Sequence, residues 1–263
     1  MKKIKRSVLI LVLLGSLFFV FTPEVVPENY QFQNTLNLTT QKDVIIIFNS
    51  GGWGNTPLEK AEDFAPIIEG IEKTLKDWGY NSLVIPYIRT KDDFLGKITG
   101  AKDFLVSFKS SSKILAEKVE FLAKQFPDKK IIMTGLSSGA ALVDETIEEI
   151  SENSQVYAIE VGTPFWAETF KSENILQLPE RSEEWRRTNV LRLNNNGKDS
   201  LSAGEIKTLI LSLAKAPFKW VSAKINGEEL TFSQAIWVPG HEYFWDSPEV
   251  GPQIVTFLEK KFR

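Results

Sequence analysis

The 263-residue sequence has no cysteine and a single histidine, His241. Without cysteine there is no disulfide framework, thiol nucleophile, iron–sulfur cluster or thiolate-bound zinc. With one imidazole, a histidine-rich metal site is excluded, and any mechanism that needs an imidazole base has one candidate. A basic surplus is also lacking: 31 Lys and Arg stand against 34 Asp and Glu, a net charge of −3. Nucleic-acid binders gather excess positive charge on one face, so no nucleic-acid partner is expected. The 43% hydrophobic content suits a folded domain large enough to bury its own core.

The only concentrated basic run, Lys2, Lys3, Lys5 and Arg6, precedes a continuous apolar stretch from Ser7 to Phe21. That order reads as a secretory signal or an uncleaved signal anchor over residues 1–22, which implies export and, if uncleaved, membrane attachment. Residues 23–42 are polar and read as a linker, with Tyr30 to Leu38 as a candidate edge strand.

From residue 43 onward, apolar runs of strand length alternate with stretches of helical period. Val44 to Phe48 is apolar throughout, as expected of a strand buried on both faces. Leu58 to Trp78 places Phe64, Ile67, Ile68, Ile71 and Leu75 at helical spacing and stops at Gly79. Strands are expected at 82–88, 130–134, 156–161, 189–193 and 235–238, and helices at 113–126, 139–150, 205–213 and 250–262. The alternation predicts an α/β fold, a mostly parallel sheet covered by helices on both faces. Residues 165–187 break it and are read as a long connection or a lid insertion.

Ligands of such sheets sit beyond the C-terminal ends of the strands, so polar residues just after each strand are the ones that can meet. After the third strand stands Gly135-Leu136-Ser137-Ser138-Gly139, a Gly-x-Ser-x-Gly pattern at a strand-to-helix junction. A sharp turn there needs glycine on both sides, lifts the Ser137 hydroxyl clear of the sheet and leaves the following amides at a helix N-terminus. A neutral serine needs a base oriented by an acid. His241 follows the last expected strand and is the base candidate. Asp199, in a loop of turn-forming residues after the fifth expected strand, is the favoured acid, with Asp246 and Glu160 as rivals. The amide of Ser138 and, in the loop Asn49 to Gly54, those of Gly52 and Trp53 are candidate oxyanion donors. That loop lacks the Lys and Ser/Thr of a phosphate-binding loop.

Residues 43–263 thereby resemble an α/β-hydrolase of the lipase and esterase branch. The resemblance rests on the Gly-rich loop after the first buried strand, the serine elbow, the turn Gly197 to Asp199, Gly162-Thr163-Pro164 and the late Gly240-His241. Two positions depart from the lipase pattern: Ser50 precedes Gly51 where His is common, and Phe165 follows Thr163-Pro164 where another His is common. Neither missing histidine belongs to a triad. The resemblance implies ester cleavage through an acyl-enzyme by Ser137, Asp199 and His241, with no metal and no cofactor. Trp53, Trp166 and Trp245 adjoin the candidate loops, so an apolar acyl group is expected in a small-molecule ester substrate. An acyltransferase, a peptidase and an inactive envelope-binding module share these features and stay open.

Overall fold

The structure is a computed structural model that describes residues 38–150, 153–164, 169–179 and 243–263. Five strands form one parallel sheet: β1 (Val44–Asn49), β2 (Ser82–Tyr87), β3 (Lys130–Leu136), β4 (Val156–Thr163) and β5 (Ile175–Pro179), in the order β2-β1-β3-β4-β5. Five helices accompany it: α1 (Ala65–Asp77), α2 (Phe94–Leu105), α3 (Lys109–Gln125), α4 (Ser138–Glu149) and α5 (Gly251–Phe262).

Strand β1 shows why the sheet is buried on both sides. Every residue from Val44 to Phe48 is at most 1% exposed. Alternate side chains feed two separate cores, as the two-residue period of a strand requires. Val44, Ile46 and Phe48 pack with Ile67, Ile71 and Leu75 of α1 and Ile254 and Leu258 of α5. Ile45 and Ile47 pack on the other side with Leu115 and Val119 of α3 and Leu142 of α4. The predicted fold class is therefore seen as a parallel sheet sandwiched between helices.

α1 ends where the sequence indicates. Gly79 has φ +90°, a left-handed conformation that terminates a helix cheaply only in glycine. The C-terminus closes the same face: the Tyr80 hydroxyl donates to the Phe262 carbonyl at 2.8 Å.

Three expectations need correction. Helix α2 was not foreseen. Its start is set by Asp93, whose carboxylate accepts the Gly96 amide at 2.6 Å. Second, residues 175–179, inside the stretch read as a connection or lid, form the fifth strand of the sheet instead. The expected strands at 189–193 and 235–238, and the helix at 205–213, lie outside the described residues. Third, of the candidate strand Tyr30 to Leu38 only Leu38 is among the described residues; with Thr39, which is fully buried, it lies in a helical turn. The packed domain therefore reaches into the presumed linker, where Lys129 donates to the Thr40 and Lys42 carbonyls. Among the described residues no helix is long and apolar enough to cross a membrane; residues 1–22 lie outside them.

The strand order fixes where a site can form. The chain runs from β1 outward to β2, then returns to the other side of β1 for β3, β4 and β5. Right-handed crossovers in opposite directions send their helices to opposite faces, so the loops leaving β1 and β3 part and open a crevice.

Candidate active site

That crevice is bounded by the two loops singled out above. The ends of β1 and β3 are tied together there: the Asn49 side chain donates to the Thr134 carbonyl at 3.0 Å, and the Thr134 hydroxyl donates to the Ile47 carbonyl at 3.2 Å.

Ser137 is the half-buried residue between β3 and α4, with φ 53° and ψ −117°. Left-handed φ is costly for a residue with a side chain and persists only when the surroundings enforce it. The enforcing contacts are visible. The Ser137 amide donates to the Val161 carbonyl of β4 at 2.9 Å, and its carbonyl accepts the Ala141 amide at 3.1 Å. A Cβ on Gly135 would stand 2.3 Å from the Gly139 carbonyl oxygen, and one on Gly139 would stand 2.4 Å from that of Asn49. Both glycines are thus required by backbone running against backbone, and the result is a sharp, strained strand-to-helix turn. Gly139→Ala is expected to destabilise the fold by at least about 2 kcal/mol, because the obstacle is main chain at the end of β1. Thermal unfolding would measure it; an unchanged melting temperature would refute the enforced turn.

The Gly-rich loop lies against the elbow. A Cβ on Gly51 would be 3.1 Å from the Leu136 carbonyl oxygen and 3.7 Å from the Ser137 Cβ. Gly52 and Gly54 have φ of 60° and 72°, and the Gly54 amide donates to the Gly51 carbonyl at 3.1 Å, closing a tight turn. The Ser138 hydroxyl donates to the Gly52 carbonyl at 2.6 Å. Ser138 is also the first residue of α4, where an amide has no intrahelical acceptor. Ser137, Ser138 and Gly52 are therefore brought together. Trp53 is half-buried, with its ring over Gly100 of α2.

Other predicted residues fall elsewhere. Trp245 packs into the α1/α5 core, where a Cβ on Gly70 would stand 2.2 Å from its ring. Its position is explained by packing on α1. Asp246 is exposed on the turn before α5. Asp199, His241 and Trp166 lie outside the described residues.

Glu160 is 0% exposed and sits in β4 between Gly135 and Gln177, facing α4. Burial first, and then the charge of nearby Asp144, push its carboxyl up to about 9. Burial likewise pushes Asp144 of α4 up to about 7, against hydrogen bonds from the Phe170 amide at 2.9 Å and the Gln177 amide group at 3.1 Å. Burial biases this carboxyl toward its neutral form, which makes Glu160 a poorer partner for an imidazolium than an ionised carboxylate would be.

The sequence reading missed Arg89. It lies two residues after β2, is 3% exposed, and contacts both the Gly-rich loop and Ser138. Its place after a strand end was the signal that could have found it.

No family model matches the chain, and no curated protein matches it. Among solved structures it is similar to Trichoderma reesei cutinase in complex with a C11Y4 phosphonate inhibitor. The identity is 13% and the TM-score 0.42, over 62% of this chain and 78% of the cutinase chain.

Proposed function

We propose that this protein is a serine hydrolase that cleaves carboxylic esters with an apolar acyl group, using Ser137 as nucleophile, His241 as base and Asp199 as its orienting acid. The observation that carries the reading is the Ser137 backbone, held at φ 53° at the sheet's switch point beside a Gly-rich loop. Strain of this kind is retained where a side chain must be presented.

Tyr243 supports the part assigned to His241. It is 3% exposed, and a Cβ on Gly162 at the end of β4 would stand 2.4 Å from its hydroxyl oxygen. Gly162 follows Val161, whose carbonyl takes the Ser137 amide. Two residues of chain span at most about 7 Å, which bounds how far His241 can lie from the Tyr243 backbone.

In this reading the Ser137 oxygen attacks the ester carbonyl while His241 takes its proton. The amides of Ser138 and of Gly52 and Trp53 receive the developing oxyanion. The C–O bond then breaks, and His241 passes the proton to the departing alcohol. Water repeats the sequence on the acyl-enzyme and releases the acid.

An organophosphonate ester probe, followed by peptide mapping, tests the assignment. Modification is expected on Ser137; a labelled protein modified elsewhere overturns it. Turnover of a p-nitrophenyl ester should rise with pH as His241 loses its proton, because only neutral imidazole acts as base. A profile flat from pH 5 to 8, under acylation-limited conditions, would remove His241 from that role.

The proposal extends to location. Basic residues 2–6 and the apolar run to Phe21 favour export, with anchoring at the membrane if residues 1–22 stay attached. A mature N-terminus near residue 23, read by mass spectrometry, would replace the anchor with secretion.

A further inference from the structure

The Gly51–Gly54 turn is held by a buried cation. The Arg89 Nη2 donates to the Gly52 carbonyl at 3.2 Å and to the Ser138 hydroxyl at 3.3 Å, while that hydroxyl donates to the same Gly52 carbonyl at 2.6 Å. The Arg89 amide donates to the Gly54 carbonyl at 2.8 Å. The next residue continues the grip, its Thr90 hydroxyl donating to the Trp53 carbonyl at 2.8 Å. On its other side the guanidinium pairs with Asp103 at 3.5 Å and stacks 4.8 Å from the Phe108 ring centre. A Cβ on Gly54 would stand 2.2 Å from the Arg89 Nε, so the glycine at 54 is fitted to this side chain.

Two consequences follow from peptide geometry. The Gly52–Trp53 peptide is planar and trans, so its C=O and N–H point in opposite directions. Holding the Gly52 carbonyl toward Arg89 and Ser138 therefore turns the Trp53 N–H away from them. A cation on the carbonyl oxygen also polarises the whole amide, which strengthens the same peptide's N–H as a donor.

We propose that Arg89 is a positioning residue for the oxyanion hole: with Ser138 as a relay, it clamps the Gly52 carbonyl so that the Trp53 amide is fixed and polarised as an oxyanion donor. This rests on Ser137 being the acylated nucleophile. Arg89 itself touches no reacting atom. A guanidinium suits the task because its planar fork reaches a carbonyl, a hydroxyl and a carboxylate at once; a lysine ammonium is a point charge without that fork.

The test is the steady-state kinetics of the full chain on a p-nitrophenyl ester, in four variants. Arg89→Ala is expected to lower kcat by about 10²-fold, the scale of one lost oxyanion donor, with KM within about threefold. Arg89→Lys should recover less than a tenth of the wild-type kcat. If Arg89→Ala misfolds because Asp103 is left unpaired, the double variant Arg89→Met with Asp103→Leu replaces the ion pair by apolar groups of similar volume, which buried pairs generally tolerate. It should show the same fall in kcat. Ser138→Ala keeps the Ser138 amide and removes only the relay hydroxyl, and is expected to lower kcat about tenfold with KM unchanged.

Unchanged kcat in a folded Arg89→Ala or double variant overturns the proposal. If neither folds, unchanged kcat in Ser138→Ala does so. Failure of the underlying reading looks different: the wild type would then turn over no ester and Ser137 would take no phosphonate label, before any Arg89 variant is made.

Discussion

Ser137→Ala is expected to lose ester turnover by roughly 10⁴- to 10⁶-fold while melting close to the wild type. The activity loss follows from removing the only atom that forms the acyl bond; substrate binding and the oxyanion donors leave the small residue of catalysis. The unchanged stability follows from where the constraint lies. The turn is imposed by Gly135, Gly139 and the Ser137 amide bond to Val161, none of which uses the hydroxyl. Alanine carries the same Cβ and bears the same strain at φ 53° and ψ −117°, a cost of about 1–3 kcal/mol. Ser137→Gly relieves it. The glycine variant should therefore be equally inactive yet melt a few degrees above the alanine variant, since about 1 kcal/mol moves a domain of this size by about 2–4 °C. Retained turnover in Ser137→Ala would end the serine-hydrolase reading. An alanine variant more stable than the glycine one would show that the elbow stores no strain.

The comparison between residues and structure follows physical lines. Strands β1, β3 and β4 were legible because continuous apolar runs have one economical fate, burial on both faces of a parallel sheet. The elbow was legible because glycines flanking a serine at a strand end meet a steric demand that coordinates then display as 2.3 and 2.4 Å approaches. Helix α2 was not legible: its apolar residues are interrupted by Gly96 and Gly100, and Gly100 is small because the Trp53 ring lies on it. β5 was hidden because five residues at the described edge of the sheet, with polar Gln177 among them, give too short an alternation to stand out from a loop. Trp245 owes its place to a residue far away along the chain: Gly70 of α1, whose missing side chain receives the ring. Arg89 shows the deepest limit. A lone arginine after a strand usually faces water, and its burial depends on Asp103 and Phe108, which reach it only once α2 and α3 have packed.

Asp144 and Glu160 supply the second large effect. The wild type is expected to lose stability steadily as pH rises above neutrality, and Glu160→Gln is expected to lose much less. Glu160 is displaced from an ordinary 4.5 up to about 9, and Asp144 from 3.8 up to about 7. Both folded values lie above the unfolded ones, so the folded state keeps protons that the unfolded chain has released. Their stabilising influence is complete below about pH 4 and is lost as pH climbs through 7 and then 9. The cause is burial of both groups, reinforced at Glu160 by the charge of Asp144 and at Asp144 by Glu145 and Glu148 on α4. Each unit of displacement is worth about 1.4 kcal/mol, so between pH 5 and 8 the pair accounts for a change of several kcal/mol. The two shifts are not summed, since that of Glu160 already contains the charge of Asp144. Glutamine keeps the shape of protonated glutamate and cannot ionise. Urea unfolding at pH 5.5, 7 and 8.5 should show the variant close to the wild type at the lowest pH and clearly more stable at the highest. Parallel pH curves would mean that Glu160 is ionised in the folded protein, which would return it to the candidates for the acid behind His241. A shallower curve for the variant, with the remaining slope due to Asp144, would show that Glu160 holds its proton in the folded protein near neutral pH.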